Sequence, residues 1–213
     1  YVLAFMAKAE EYIRGEQYLF KNKVIGNEEI AGGKFLLQFE KQFELKAGHV
    51  VAIALDKTHD ARIYSVCSGE QDQNFHVLFD LKEDGLLTPK LANLKKGDFI
   101  YASKPYCSFM PDKEIPMYWI STGTGIAPFY AMMKSGYKAE KLLHGAREKQ
   151  LFYFEKDFKL YFKENYLRCN SGTDGSGDFF GRVNTYLENQ AALIDIIVNV
   201  FISLLFCYQF YFL

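Results

Sequence analysis

A chain of 213 residues is long enough for one large or two small domains with a sizeable core. Its 25 Lys and Arg residues balance 26 Asp and Glu and are spread along the sequence, so no concentrated basic footprint marks a nucleic-acid partner. The cysteines, Cys67, Cys107, Cys169 and Cys207, lie far apart without a Cys-x-x-Cys, which leaves no usual spacing for a zinc site or a chain-ligated iron–sulfur cluster; they read as reduced thiols of a cytoplasmic protein, and no metal is expected.

In chain order, Tyr1 to Phe20 mixes helix formers in a pattern unlike that of the residues after it. Its Val2-Leu-Ala-Phe-Met6 run is too short for a signal-peptide core plus a cleavage site, so residues 1–20 are expected to be a helical or disordered leader without a functional role. From Lys21 to Asp56, short alternating runs are separated by polar or glycine turns: Lys23-Val-Ile25, Gly33 to Phe39 and Gly48 to Leu55. Ala61 to Cys67 and Asn74 to Phe79 read as two more strands. A capped helical run comes next, Thr88 to Leu94, and then a strand over Asp98 to Ala102. About six short strands broken by one small helix predict that residues 21–110 form an all-β, closed Greek-key barrel rather than an open sheet. Cys67 fits a small buried hydrophobe, or a mildly reactive thiol if it lies beside a cofactor.

The polar, proline-framed stretch at residues 111–116 reads as a linker, after which the pattern changes to alternating strands and helices. Met117 to Ile120 is a short apolar run that ends in Ser121-Thr-Gly-Thr-Gly-Ile-Ala-Pro128. Gly123 and Gly125 permit positive φ and close backbone approach, and Pro128 suits the start of a helix, where no N–H is needed. Free N–H groups and the positive dipole end of that helix suit a dinucleotide pyrophosphate. No Gly-Lys-Ser/Thr comes after it, so the motif is not a P-loop, although a plain strand-to-helix turn is an alternative. Phe129, Met132 and Met133 continue at helical spacing to Gly136, and Lys141 to Gly145 reads as the next strand. Lys149 to Tyr161 is expected as an amphipathic helix, Tyr166 to Ser171 as a strand and Val183 to Ala192 as a helix. Residues 117–213 are thus expected as an α/β domain with a doubly wound parallel sheet, carrying an atypical apolar tail at 194–213.

These segments, taken together, resemble the ferredoxin–NADP reductase superfamily over roughly Lys21 to Ala192. Arg62-Ile-Tyr-Ser65 looks like that family's flavin signature. Gly85-Leu-Leu-Thr88, running on to Asp98, resembles its diphosphate segment, and Ser121 to Pro128 its pyridine-nucleotide loop. His144-Gly-Ala-Arg147 and Phe180-Gly-Arg-Val183 match later strand-end and turn motifs. The resemblance implies FAD held by Arg62, Tyr64, Ser65, Gly85, Leu87 and Thr88, with Ser65 a candidate beside the reactive flavin nitrogen. It implies NAD(P)H held by Thr122, Gly123, Thr124, Gly125, Ala127, Pro128, Arg147 and Ser171. Arg62 and Tyr64, two apart on a strand, share a face, where a guanidinium grips a diphosphate bidentately and a phenol stacks on an isoalloxazine edge. Strict alternation points Ser65 the other way unless a strand end or bulge intervenes.

The implied activity is hydride transfer from NAD(P)H to FAD and onward electron transfer to ferredoxin, flavodoxin or another acceptor, without nucleic acid or membrane as a partner. The rival is a non-catalytic or truncated flavin- and nucleotide-binding relic lacking a complete nicotinamide site. The sequence departs from the family pattern at His49, where Gln is usual, and at Cys107, where a turn glycine is usual. His144 fits a structural residue or an acid–base group, and Arg147 a ribose-phosphate ligand or a strand-end cap. Ser171 is followed by Gly172, Thr173 and Asp174, and an Asp there would repel a 2′-phosphate and accept from a free ribose hydroxyl, favouring NADH or dual use. A preference for NADPH would point to Arg147, Arg168 or Arg182 as the compensating charge.

The tail lacks the Tyr-x-Cys-Gly strand end that the family carries. A bilayer anchor fits its length but lacks basic flanks, and a divergent final strand would place Cys207-Tyr208 against the nicotinamide. The favoured expectation is out-of-frame or misplaced sequence beyond about Asp195, with a large exposed apolar surface, aggregation and impaired flavin reduction.

Overall fold

Alternation begins at Leu19, where β1 (Leu19–Ala31) turns one side of the chain inward. The computed structural model describes residues 19–57, 61–107, 113–114 and 117–190, in two units parted between residues 110 and 111. In the first unit β1 pairs with β2 (Lys34–Glu40). It is followed by β3 (His49–Ala54), β4 (Arg62–Ser65), β5 (Asn74–Asp80), β6 (Phe99–Ser103) and the short β7 (Tyr106–Cys107). The antiparallel order is β4-β3-β6-β1-β2-β5, with β7 beside β3. A bridge between Val66, just past β4, and Val77 of β5 joins the two ends, so the sheet closes as a barrel.

Val24, Leu37, Phe39, Val51, Ile53, Val77 and Ile100 fill its interior, each almost wholly buried and worth about 2 kcal/mol as a removed apolar surface. One end is packed by the short helix α1 (Thr88–Ala92), through Leu87 and Leu91. Leu19 and Phe20 pair with Ser103 and Ala102, so the barrel starts inside the stretch expected as a leader. The cause is burial: Leu19 joins a cluster with Ala52, Ala54 and Ala61, and Phe20 meets Phe43 edge-on at 4.8 Å. Residues 1–18, and with them the rest of that leader, lie outside the described residues, as does the tail from 191 onward.

The second unit is a four-stranded parallel sheet in the order β11-β10-β9-β8, from β8 (Met117–Thr122), β9 (Ala139–Ala146), β10 (Tyr166–Asn170) and β11 (Phe179–Phe180). Alternation along β8 and β9 sends Trp119 and His144 to one face and Ile120 and Leu143 to the other. On the first face Trp119 stacks on Phe129 of α2 (Ala127–Lys134) and meets Phe162 of α3 (Glu155–Phe162) edge-on. On the second, Ile120, Leu143 and Cys169 pack with Val183 of α4 (Val183–Glu188). Helices on both faces make this a doubly wound layout.

The helix expected from Lys149 is interrupted. Lys149–Leu151 form a single 3₁₀ turn, Phe152 and Tyr153 turn inward, and α3 starts only at Glu155. Phe154, with φ 59°, makes the break and stacks on Tyr130 at 3.8 Å between ring centroids. A bulky residue in that region costs about 1 kcal/mol or more, and aromatic burial on both sides offsets it. The helix expected from Val183 spans Val183–Glu188 and has ended before Gln190, rather than running to Ala192. Among the described residues no helix is long and apolar enough to cross a membrane.

Candidate functional site

In the barrel, register places Arg62 opposite Ile53 and Tyr64 opposite Val51, on the side of β4 that turns inward. Arg62, at the open end of the strand, is exposed and forms no ion pair among the described residues. Tyr64 is 6% exposed, lies edge-on to Phe79, and its hydroxyl is buried without a hydrogen-bond partner among the described residues. Burial pushes the phenol far above its ordinary range, with the Arg62 charge as a smaller opposing influence, so it stands as a neutral donor. An unmet buried hydroxyl costs about 1–3 kcal/mol, a debt that an acceptor supplied by a ligand would remove. Ser65 is half-buried, faces the opposite side and ends β4.

The second barrel segment presents backbone more than side chain. The Thr88 hydroxyl accepts from the Lys82 N–H at 2.9 Å and donates to the Lys82 carbonyl at 3.2 Å, so it is engaged within its own loop. Leu87 is buried in the core, whereas Leu86 is 83% exposed. A Cβ on Gly85 would come within 2.9 Å of the Lys82 carbonyl, so only glycine makes this turn without displacement.

In the second unit the candidates gather at the carboxyl ends of three adjacent strands. Thr122 pairs with Gly145, one residue before the end of β9, and the Ser171 N–H donates to the Ala146 carbonyl at 3.0 Å, beside Arg147. Gly123 takes φ 54° and opens a 3₁₀ turn, Gly123–Ile126, that leads directly into α2. Gly125 does not use positive φ; it lies buried within that turn. Ala127 and Pro128 are buried too, so they shape the helix start rather than face solvent. Arg147, Ser171 and Arg182 are exposed. The crevice at the carboxyl ends of parallel strands is where open α/β sheets place ligands.

The loop after β10 is organised by a residue the sequence did not single out, Asn170. Fully buried, it donates through Nδ2 to Asp174 and to the Ser176 hydroxyl, and accepts from the Gly172 N–H at 2.7 Å. Asp174 also accepts from the Ser176 N–H and hydroxyl and from the Lys149 N–H. Those bonds, led by the Ser176 backbone, hold its carboxyl well below the ordinary range. The carboxylate expected to meet a ribose is therefore turned into its own loop. Arg168 is likewise engaged, by Asp178 and by Glu155 at 2.6 Å each, which removes it as a free charge for a 2′-phosphate. A Gly-Ser-rich run after a strand was the only sequence signal for this network.

His144 is not an acid–base group of this site. It is fully buried, its Nδ1 pairs with the Tyr166 hydroxyl at 2.9 Å, and burial lowers its pKa to about 3, the Glu155 charge opposing weakly. Cys67 is a buried thiol, and burial pushes the Cys169 thiol up to about 12, so neither behaves as a nucleophile.

No family model matches the chain. The ferredoxin–NADP reductase of Pseudomonas aeruginosa is 34% identical over 113 residues, 48% of this chain and 44% of that protein. A Pyrococcus horikoshii protein named "Probable dihydroorotate dehydrogenase B (NAD(+)), electron transfer subunit" is 25% identical over 152 residues, 71% of this chain and 58% of its own. These matches thus span about half the length of the curated relatives. Among solved structures, the ferredoxin NADP+ reductase of Neisseria gonorrhoeae, with bound FAD and NADP, superposes with a TM-score of 0.73 at 16% identity, covering 86% of this chain and 81% of that one. The Plasmodium falciparum reductase with 2′P-AMP also gives 0.73, at 19% identity, over 87% and 84%.

Proposed function

We propose, for a chain that is ferredoxin–NADP reductase-like in sequence and fold, that it is a flavin-dependent oxidoreductase: the barrel holds FAD and the α/β unit binds NAD(P)H. The observation that carries this reading is the pairing in β4 of an exposed Arg62 with a buried Tyr64 hydroxyl, neither of them engaged by a charged or polar partner among the described residues. One offers a bidentate grip on a diphosphate and the other a donor to a polar group on the ligand. Backbone N–H groups of Leu86 to Thr88 would take the remaining phosphate oxygens, the Gly85 N–H being held by the Lys82 carbonyl at 2.8 Å, and Ser65, which faces the other side of β4, would meet the ring only around the end of that strand.

In the second unit, Thr122 to Gly125 would cradle the coenzyme's pyrophosphate, with Thr124 within the turn and Arg147 and Ser171 at the ribose. The protein's work is to bind and orient, since no side chain in either group is placed as a nucleophile or proton donor. The bound flavin would supply the redox chemistry, accepting a hydride from the nicotinamide and releasing electrons to a small redox protein such as an iron–sulfur protein or flavodoxin. That some relatives are named as ferredoxin or flavodoxin reductases supports this class of acceptor.

The test is an anaerobic titration of the whole chain loaded with FAD. Stoichiometric flavin binding, followed by bleaching with NADH or NADPH, is expected. A protein that stays colourless with FAD overturns the proposal, while one that binds FAD but is never bleached is the non-catalytic relic.

A further inference from the structure

Where β1 meets α1, Asn27 holds a partly buried amide that the flavin reading does not use. In the β1–β2 ladder Val24 faces Phe39 and Asn27 faces Leu37, so Ile25 and Gly26 together stand opposite Gln38. That bulge changes the parity of the strand. Val24 and Asn27 are three apart and would point to opposite sides of a regular strand, yet both lie on the inward side, where Phe39 and Leu37 are fully buried. Asn27 is thereby aimed at the barrel end that α1 packs.

There its Nδ2 lies 2.9 Å from the Leu91 carbonyl and 3.2 Å from those of Ala92 and Leu94. Leu91 and Ala92 close α1 and Leu94 lies just beyond it, where the chain leaves the helix; the Leu91 carbonyl also accepts from the Leu94 N–H at 3.1 Å. Oδ1 is buried without a partner among the described residues, so the amide is held in place through its donors. A helix of five residues does not persist on its own. At its other end the Thr88 hydroxyl pins it to Lys82. α1 is therefore fastened to a loop at its start and to the barrel wall at its finish.

We infer that Asn27 is a positioning residue for the flavin diphosphate: by clamping the far end of α1 it fixes the orientation of the Leu86–Thr88 backbone that would meet the phosphates. This rests on the barrel being the flavin site. Without the clamp the helix retains its Thr88 anchor and Leu91 packing but pivots on them, and the phosphate-facing N–H groups lose their aim.

The experiment uses the whole chain as wild type, Asn27→Ala and Asn27→Asp, with FAD affinity read by flavin fluorescence under conditions where urea unfolding shows all three folded. Asn27→Ala is expected to bind FAD about tenfold more weakly, with faster amide exchange over residues 87–94 and little change over β3 and β5. Asn27→Asp sets a carboxylate against three carbonyls at about pH 8; on acidification towards about pH 5 it gains a proton it can donate, and its affinity relative to wild type recovers. A cap that serves stability alone moves the unfolding midpoint and leaves FAD affinity within about twofold of wild type, and that result overturns the inference while leaving the flavin site intact. If wild type itself binds no FAD, the flavin reading fails and the role of Asn27 towards it falls too.

Discussion

The two units prepare for a ligand in opposite ways. The barrel leaves side chains unspent: among the described residues Arg62 is exposed without an ion pair and the Tyr64 hydroxyl has no partner. The α/β unit spends two of its charged groups internally, Arg168 bound by Asp178 and Glu155 and Asp174 by Asn170, Ser176 and Lys149. What it offers a ligand is a glycine turn and a set of strand ends, of which the end of β10 and the loop after it are held by those bonds. A site made of unspent side chains gives way when one of them is removed, whereas a site made of rigid backbone gives way when its packing is disturbed.

Gly172 is where the second kind is most exposed to damage. A Cβ there would lie 1.8 Å from the Arg147 carbonyl oxygen, so Gly172→Ala forces the loop after β10 away from the end of β9. About 3 kcal/mol or more should be lost from the α/β unit. Trp119 is the only tryptophan and is stacked in that unit, so its fluorescence during urea unfolding reports this loss selectively. Gly175→Ala meets open space but has φ 69°, and should cost only about 1 kcal/mol. Equal losses in the two variants would show that close approach is not what holds the loop.

Acid should separate the units next. The His144 pKa falls from an ordinary 6.5 to about 3 because burial disfavours the charged ring. The unfolded chain therefore takes up a proton between those values that the folded unit refuses. Stability from this group is constant above about pH 6.5 and declines as the pH falls towards 3, by about 3 kcal/mol at pH 4. His144→Gln should flatten that part of the Trp119 unfolding profile. An unchanged slope would place the acid sensitivity elsewhere, for instance in Asp178, whose pKa is held low by Arg168.

The barrel answers to a side-chain deletion instead. Arg62→Ala should weaken FAD binding by about 2 kcal/mol, roughly thirtyfold, and leave the unfolding of the FAD-free protein unchanged because Arg62 makes no ion pair among the described residues. Unaltered affinity in a flavin fluorescence titration would make Arg62 an ordinary surface residue.

The same contrast marks how far the sequence could be read. The strands, the closed barrel and the strand–helix alternation were legible because period-two burial and turn residues are local signals, as in Asn74–Asp80. Three features were not. The bulge at Ile25 and Gly26 changes which side Asn27 faces, and nothing in the residue types announces the extra residue. The break before α3 comes from aromatic side chains drawn into tertiary packing, which overrides a helical period that ran through it. The fate of Asp174 depends on Asn170 and Lys149, partners that only the folded loop brings within reach.

Asp174 gives the finest test of the comparison. If it faced the ribose, as an acidic residue at a strand end is expected to, Asp174→Asn would remove a repulsion and shift preference towards NADPH. In the structure one carboxylate oxygen accepts from Ser176 and Asn170, and the other from the Lys149 N–H at 2.7 Å. An amide keeps the first set of bonds through its oxygen but turns a donor towards the Lys149 N–H, so the loop loosens while the charge facing a coenzyme scarcely changes. The ratio of NADH to NADPH affinity should then stay within about twofold of wild type, while Arg147→Ala, which removes an exposed positive charge at the neighbouring strand end, should lower affinity for NADPH more than for NADH. A tenfold or greater move towards NADPH in Asp174→Asn, measured by coenzyme titration of the whole chain, would mean that the carboxylate leaves its loop to meet the ribose and that this unit, like the barrel, binds with side chains held in reserve.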